Sequence, residues 1–378
     1  MRALRVGYVS EHDPLDRWSW SGTHFYMLRA LREEGLDLVS LGRSLLPRPH
    51  SLLRRVARRV GLVGAKAPEN PDERARRWGG VLSEELRQAP CDAIFAAVAS
   101  RVVARVETSA PIVLLSDATF RRMRGYYDDV TALPADVAAA LDALEAAALG
   151  RAARVLYPSP WAAESAVSDY GVDPSRVKVI PFGANLDEIP ARAECLAARP
   201  SPPLRLLFIG RDWIRKGGPI ALGALRELHA RGRDVTLTVV GASPPAEEGL
   251  EVIPLLDKKN EADRAQLRRL LLSSHLFVLP TRADCFSMVG CEAAAHGLPV
   301  LMTRTGGVPG VVNEGRNGRL LPLEAGPAEW AVAIEEMLAP GRREAYVSGS
   351  RDESEERLNW RSWGRAAALE IRAVVEKS

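Results

Sequence analysis

The sequence predicts an α/β protein built from two doubly wound parallel-sheet domains, on three observations. Short runs rich in Val, Ile and Leu alternate with helix-like stretches along the 378 residues, the pattern of parallel strands joined by crossover helices. The pattern restarts at Leu204. Between the halves, residues 185–203 hold Pro190, Pro200, Pro202 and Pro203 and read as a linker.

In the first half, strands are expected at 5–10, 36–41, 92–98, 111–116, 154–158 and 177–182, with helices near 23–34, 72–87, 134–149 and 160–170. The second half opens with a strand at 204–210 and a helix near 218–231. Strands follow at 235–241, 251–255, 276–279 and 299–303. A helix starts at about Ser287, whose hydroxyl suits an N-cap. It stops where Gly297, Leu298 and Pro299 follow His296, a usual C-terminal signal. A last helix runs over about 360–376 after a break. The domains are therefore 1–190 and 204–355, both Rossmann-like, facing a cleft between the carboxyl ends of their sheets.

Composition narrows the function. With 47% hydrophobic and 26% charged residues, the chain is an ordinary globular protein, long enough for two domains. A formal charge of +3 is too small to argue for nucleic acid as a partner. Cys91, Cys195, Cys285 and Cys291 are scattered without metal spacing, which suits reduced thiols in a cytosolic protein. The N-terminus runs from a charged start into a strand and lacks the apolar stretch of a signal peptide. No window approaches the roughly 20 apolar residues of a membrane span, so a cytoplasmic location is expected. Residues 43–66 hold Arg43, Arg48, Arg54, Arg55, Arg58, Arg59 and Lys66 with interleaved Leu and Val and no acidic residue. That segment is either a solvated basic face or a surface for an anionic acceptor or the inner membrane face.

Two stretches carry the chemistry. Residues 280–292 read as strand end, loop and helix start, with Asp284 in the loop and Glu292 inside the helix. The free N–H groups of such a turn form an anion site, and both carboxylates can face a ligand whose phosphates rest there. This describes a nucleotide-sugar site, with diphosphate on the amides and carboxylates on hydroxyls. Residues 210–218 follow the first strand of the second half, and Arg211 and Lys216 can place two cations on one diphosphate. A leaving diphosphate gains negative charge during transfer, so these cations act mainly on the transition state. The alternative for them is a solvated basic turn.

These residues resemble the retaining glycosyltransferases of family 4. That signature has two acidic residues separated by seven others, here Asp284 and Glu292, although the first is usually Glu. The family's Gly-Phe-Gly stands here as Cys285-Phe286-Ser287. Gly297-Leu298-Pro299-Val300, Thr305-Gly306-Gly307-Val308-Pro309 and Asn317-Gly318 follow in the family's order, with Gly310 where a Glu is common. Gly210-Arg211…Lys216-Gly217 matches the family's Gly-Arg…Lys-Gly. Ser116–Thr119, Tyr157–Ala163 and Pro181–Asn185 look like segments of its bacterial members.

The resemblance implies the GT-B fold, with the C-terminal helix at 360–378 packing back on the first domain. It implies transfer of a hexose from a UDP- or GDP-sugar to an acceptor hydroxyl, with retention, without metal and with no cofactor beyond the donor itself. Arg211, Lys216 and Asp284 would be catalytic. Gly22, Thr23, Leu256, Cys285, Phe286, Ser287, Met288, Val289 and Glu292 would bind donor, with the nucleotide base near 254–258. Lys258 is either part of that base site or a surface residue.

In the first half, Ser21-Gly22 stands where the family often has two glycines, and Trp18 and Trp20 either form a sugar platform or pack the loop. Asp117 replaces a His found near the sugar in some members. It is read either as an acceptor-binding carboxylate or as an N-cap, with Tyr126 and Tyr127 lining the acceptor pocket. Asp128-Asp129 is not read as a metal pair. A sugar, a lipid-linked group or a small molecule would serve as acceptor. Two other readings keep the donor site: an epimerase or hydrolase of nucleotide sugars, and a non-catalytic nucleotide-sugar binder acting as a partner subunit.

Overall fold

The protein is described by a computed structural model covering residues 2–17, 19–46, 70–199 and 202–377. It divides into two compact units. The first holds residues 1–157, 162–179 and 364–378; the second holds 158–161 and 180–363. Trp18 and the basic segment from 47 to 66 lie outside the described residues.

Among the described residues of the first unit, six strands form one parallel sheet: β1 (Arg5–Val9), β2 (Asp37–Leu41), β3 (Ala93–Ala97), β4 (Ile112–Leu115), β5 (Arg154–Tyr157) and β6 (Val177–Val179). Their order is β2-β1-β3-β4-β5-β6. The central strands β3 and β4 are buried along their whole length, as expected where helices cover both faces of a parallel sheet. The helix α1 (Thr23–Glu33) buries His24, Tyr26, Met27, Leu28, Ala30 and Leu31. α2 (Pro71–Gln88) starts where the Asn70 side chain accepts from the Asp72 amide and Pro71 occupies the first turn, two start signals acting together. It buries Ala75, Trp78, Leu82 and Leu86, spaced at three and four along one face. Next come the short α3 (Ser100–Val103), then α4 (Ala135–Arg151) and α5 (Pro160–Ser168).

In the second unit, six described strands form a parallel sheet in the order β12-β11-β10-β7-β8-β9. They are β7 (Leu204–Ile209), β8 (Val235–Val240), β9 (Leu250–Ile253), β10 (Leu276–Leu279), β11 (Val300–Thr303) and β12 (Gly318–Leu321). Chain order reverses direction between β7 and β10, which pair in parallel through Leu206–Leu276 and Leu207–Phe277. In such a sheet the ligand crevice lies outside the carboxyl ends of the strands at this switch. The helices of this unit are α6 (Gly218–Ala230), α7 (Glu261–Ser273), α8 (Met288–Ala295), α9 (Pro327–Met337) and α10 (Arg342–Glu356), and the last helix, α11 (Trp360–Val375), belongs to the first unit from Gly364 onward. A continuous core joins Leu206, Phe208, Leu225, Leu237, Phe277, Leu301 and Trp330.

β12, α7, α9 and α10 lie where the sequence reading placed no element. α10 shows why: it buries Arg351, Glu353 and Ser354 beside Val347. Glu353 is held by Arg316 and Arg357 and by the Asn313 side chain. A helix docked through ion pairs lacks the apolar stripe by which sequence reveals helices.

Candidate functional site

Two loops at the carboxyl edge of the second sheet build the site. One leaves β7 and runs from Gly210 into α6; the other leaves β10 and runs from Pro280 into α8. They are tied together at the backbone. The Arg282 amide donates to the Arg215 carbonyl at 2.7 Å, and the Arg215 guanidinium donates to the Ala283 carbonyl at 2.8 Å. Gly217 has φ +75°, and a Cβ there would lie 1.8 Å from the Pro280 carbonyl oxygen. Glycine is required by both backbone angle and space. A third loop supports the second from below. The Gly307 amide donates to the Asp284 carbonyl at 3.0 Å, and a Cβ on Gly307 would sit 1.7 Å from the Cys285 carbonyl oxygen. This close approach accounts for glycine in the Thr305–Pro309 segment.

The stitching brings Lys216 onto Asp284. The ammonium donates to Asp284 Oδ2 at 2.6 Å, with 14% of one side chain and 12% of the other exposed. Arg211 is exposed on the same loop. Ser287 holds the N-cap position of α8, yet its hydroxyl makes no cap bond. That corrects the expected capping role, because Ser287 Oγ is buried and lacks a hydrogen-bond partner. The first-turn amides of α8 therefore lack a side-chain cap, which leaves the positive end of the helix available to an anion.

Phe286 meets Phe182 edge-on at 5.3 Å between ring centroids, and Cys285 is buried; both side chains are committed to packing. Met288 and Val289 are half-buried at the helix start. Glu292, almost fully buried, pairs with Lys258 through Oε1, while Oε2 has no hydrogen-bond partner. Lys258 is thus no plain surface residue. Leu256 is half-buried and Leu255 about half exposed beside it.

In the first unit, the loop after β1 and the loop after β4 meet. Trp20, Ser21 and Gly22 take left-handed conformations in succession, with φ of 47°, 57° and 84°. Each non-glycine residue held so costs on the order of 1–2 kcal/mol, strain of the kind found at functional sites. Trp20 Nε1 donates to Asp117 Oδ2 at 3.2 Å, and its ring lies 5.0 Å from that of His24. The indole is half-buried and takes part in packing the loop. Asp117 is not the N-cap of the segment that follows: Thr119 caps it, accepting from the Arg122 amide. Thr23 opens α1 and is buried. Tyr126 and Tyr127 stand edge-on to each other at 5.2 Å. No cluster of His, Cys, Asp or Glu able to hold a metal occurs among the described residues, Asp128 and Asp129 included.

Sequence reasoning missed several buried polar groups. Glu11, after β1, is 5% exposed and accepts a two-pronged bond from Arg101 at 2.8 and 2.6 Å, with Arg74 at 3.5 Å. His24 is fully buried between Tyr8 OH and Ser10 Oγ. Burial, with the nearby charge of His12, pushes it down to about 3, so the ring is neutral at neutral pH. Glu145 accepts from Ser100 Oγ at 2.6 Å and is pushed up to about 7 by burial, against the pull of Ser100 and Arg101. Each contact joins residues far apart in sequence and leaves no local pattern.

Fold and site together define a doubly wound α/β protein with a lysine–carboxylate pair at the switch point of its second sheet. Comparison with known proteins agrees. The family model described as Glycosyltransferase Family 4 matches residues 21–188, and the one described as Glycosyl transferases group 1 matches 203–340. The chain belongs to glycosyltransferase family 4. It is 29% identical, over 54% of its length, to the D-inositol 3-phosphate glycosyltransferase of Segniliparus rotundus, of which the match covers 49%. The chain spans about half the length of the curated relatives it matches. Its fold superposes on sucrose-phosphate synthase of Thermosynechococcus elongatus with a TM-score of 0.71 at 18% identity, over 99% of this chain and 100% of that one. Anabaena HepE, in complex with UDP and glucose, superposes with a TM-score of 0.62 at 16% identity, over 98% and 100%. Two six-stranded parallel sheets wrapped by helices, with these neighbours, make the fold GT-B. Among the described residues no helix is long and apolar enough to cross a membrane.

Proposed function

We propose that the chain transfers a hexose from a nucleoside diphosphate sugar to an acceptor hydroxyl, retaining the anomeric configuration and using no metal. The single observation that carries this reading is the Lys216–Asp284 contact of 2.6 Å at the switch point, set against the uncapped start of α8. A lysine positioned for a diphosphate and a carboxylate positioned for sugar hydroxyls stand side by side, as a nucleotide-sugar donor requires. HepE, a neighbour in fold, is described with UDP and glucose, which supports this donor class.

In the reaction, the bond from the anomeric carbon to the phosphate oxygen breaks. A bond to the acceptor oxygen forms on the same face. The acceptor proton passes to the departing phosphate. Lys216, Arg211 and the first amides of α8 offset the charge gained by the leaving diphosphate. Asp284 holds sugar hydroxyls and Glu292 the ribose. The curated relatives are named for D-inositol 3-phosphate, so a phosphorylated polyol is the acceptor class to test first, with Asp117, Tyr126 and Tyr127 as the candidate acceptor groups.

The test is thermal stabilisation by UDP, GDP, ADP, CDP and TDP, with Lys216→Ala as control, followed by assay of the matching sugar donor with and without inositol phosphate. A ligand that binds the folded state alone raises the melting temperature with its affinity. One diphosphate should stand out, lose its effect in the variant, and give a product only when acceptor is present. No shift with any diphosphate would overturn the donor site; full turnover without acceptor would replace transfer by epimerisation or hydrolysis.

A further inference from the structure

Lys258 has no place in the chemistry above, yet the structure holds it firmly. It sits in a turn between β9 and α7 whose backbone is fixed on both sides. The Asp257 amide donates to Asp263 Oδ2 at 2.7 Å, the Arg264 guanidinium donates to the Lys258 carbonyl at 3.0 Å, and Asn260 caps α7 through the amides of Ala262 and Asp263. The turn aims the lysine at Glu292. That carboxylate is 2% exposed while the lysine side chain is 37% exposed. A carboxylate so deeply placed is costly without a cation, and Lys258 supplies one at Oε1.

The second oxygen is left over. Glu292 Oε2 is buried and accepts no hydrogen bond, which leaves the desolvation of that acceptor uncompensated. Glu353, equally buried, is by contrast met by Asn313, Arg316 and Arg357. A donor hydroxyl arriving with a ligand would satisfy Oε2.

Building on the donor reading, we propose that Lys258 is the positioning residue of the ribose subsite: by occupying Oε1 it holds Glu292 turned so that Oε2 accepts from a hydroxyl of the donor's ribose. Ribose is thereby read by a lysine that does not touch it. A hydrogen bond to a carboxylate is about twice as strong as one to a neutral acceptor. A ligand lacking that hydroxyl gains nothing from the pair and leaves Oε2 unsatisfied, the kind of penalty that gives strong discrimination.

The experiment measures dissociation constants of UDP, GDP and ADP, each with its 2′-deoxy and 3′-deoxy forms, for the unaltered protein, Lys258→Met and Lys258→Arg. For the ribonucleotide that binds best, loss of one hydroxyl should weaken binding tenfold or more in the unaltered protein. In Lys258→Met the ratio should fall to about threefold or less, with the deoxy form binding nearly as before, and Lys258→Arg should restore most of it. A purely structural role would weaken ribo and deoxy forms alike. If Lys258→Met proves too unstable, Lys258→Gln keeps a neutral donor to Oε1 and should show the same reduced ratio. An unchanged ratio in these variants overturns the proposal, as does tighter ribonucleotide binding, which would make Lys258 a cap that the ribose must displace. If no nucleoside diphosphate binds the unaltered protein, it is the donor reading itself that fails.

Discussion

At the residue scale, the Lys216–Asp284 contact sets two outcomes apart. The lysine is already neutralised by a carboxylate 2.6 Å away, so an incoming diphosphate must compete with Asp284 for it. Asp284→Asn keeps the shape, frees the ammonium and removes a negative charge facing the phosphates. The variant should therefore bind a bare nucleoside diphosphate several-fold more tightly, read by calorimetric titration, while transfer falls about a hundredfold or more because the sugar loses its charged anchor. Lys216→Ala should weaken diphosphate binding and lower kcat by a similar factor. Nucleotide affinity that falls in Asp284→Asn would mean that the two side chains do not compete.

At the element scale, the sequence disclosed those parts that repeat a local pattern. The loops after β7 and β10 were legible because Gly210, Lys216, Gly217, Asp284 and Glu292 stand at fixed offsets from strand ends. The partners of those residues were not legible. Nothing local announces that Lys258 reaches Glu292, 34 positions away, or that Trp20 reaches Asp117, 97 positions away. Ser287 shows the reverse case: a residue of the right type at the cap position whose hydroxyl does not cap. α7 starts at Asn260, an N-cap signal that the sequence reading passed over, and α10 is held by charges and gave no periodic stripe. The stitched loops also carry a stability prediction. Gly217→Ala places a Cβ against the Pro280 carbonyl in a left-handed conformation, and should destabilise the second unit by about 2–4 kcal/mol in urea unfolding. Ser21→Gly, by contrast, relieves strain at φ 57° while loosening the unfolded chain, and should leave the first unit within about 1 kcal/mol of its starting stability.

At the scale of the whole molecule, buried titratable groups should make the two units respond differently to pH. In the second unit, burial pushes both His275 and His296 down to about 4. Both are buried and bonded to backbone, His275 through the Arg205 amide and His296 through the Glu292 carbonyl. Unfolded histidine titrates near 6.5, so between about 4 and 6.5 the unfolded chain binds more protons than the folded one. Their contribution is complete above about 6.5 and is lost as pH falls toward 4. The first unit holds His24, with the same sign, but also Glu145, whose folded value of about 7 lies above that of an unfolded carboxyl. Glu145 contributes fully below about 4.5 and loses that contribution as pH rises through 7. On acidification from pH 8 to 5 the second unit should therefore hold its stability down to about pH 6.5 and lose it below that, while in the first unit the two groups oppose each other and the change is smaller. Glu145→Gln keeps an acceptor for Ser100 and removes the charge. It should raise the stability of the first unit at pH 8, leave it nearly unchanged at pH 5, and leave the second unit alone. Urea unfolding across this range, resolved by unit through hydrogen exchange of their separate peptides, measures all of this; a variant with no gain at pH 8 would show that Glu145 already reaches water when it ionises.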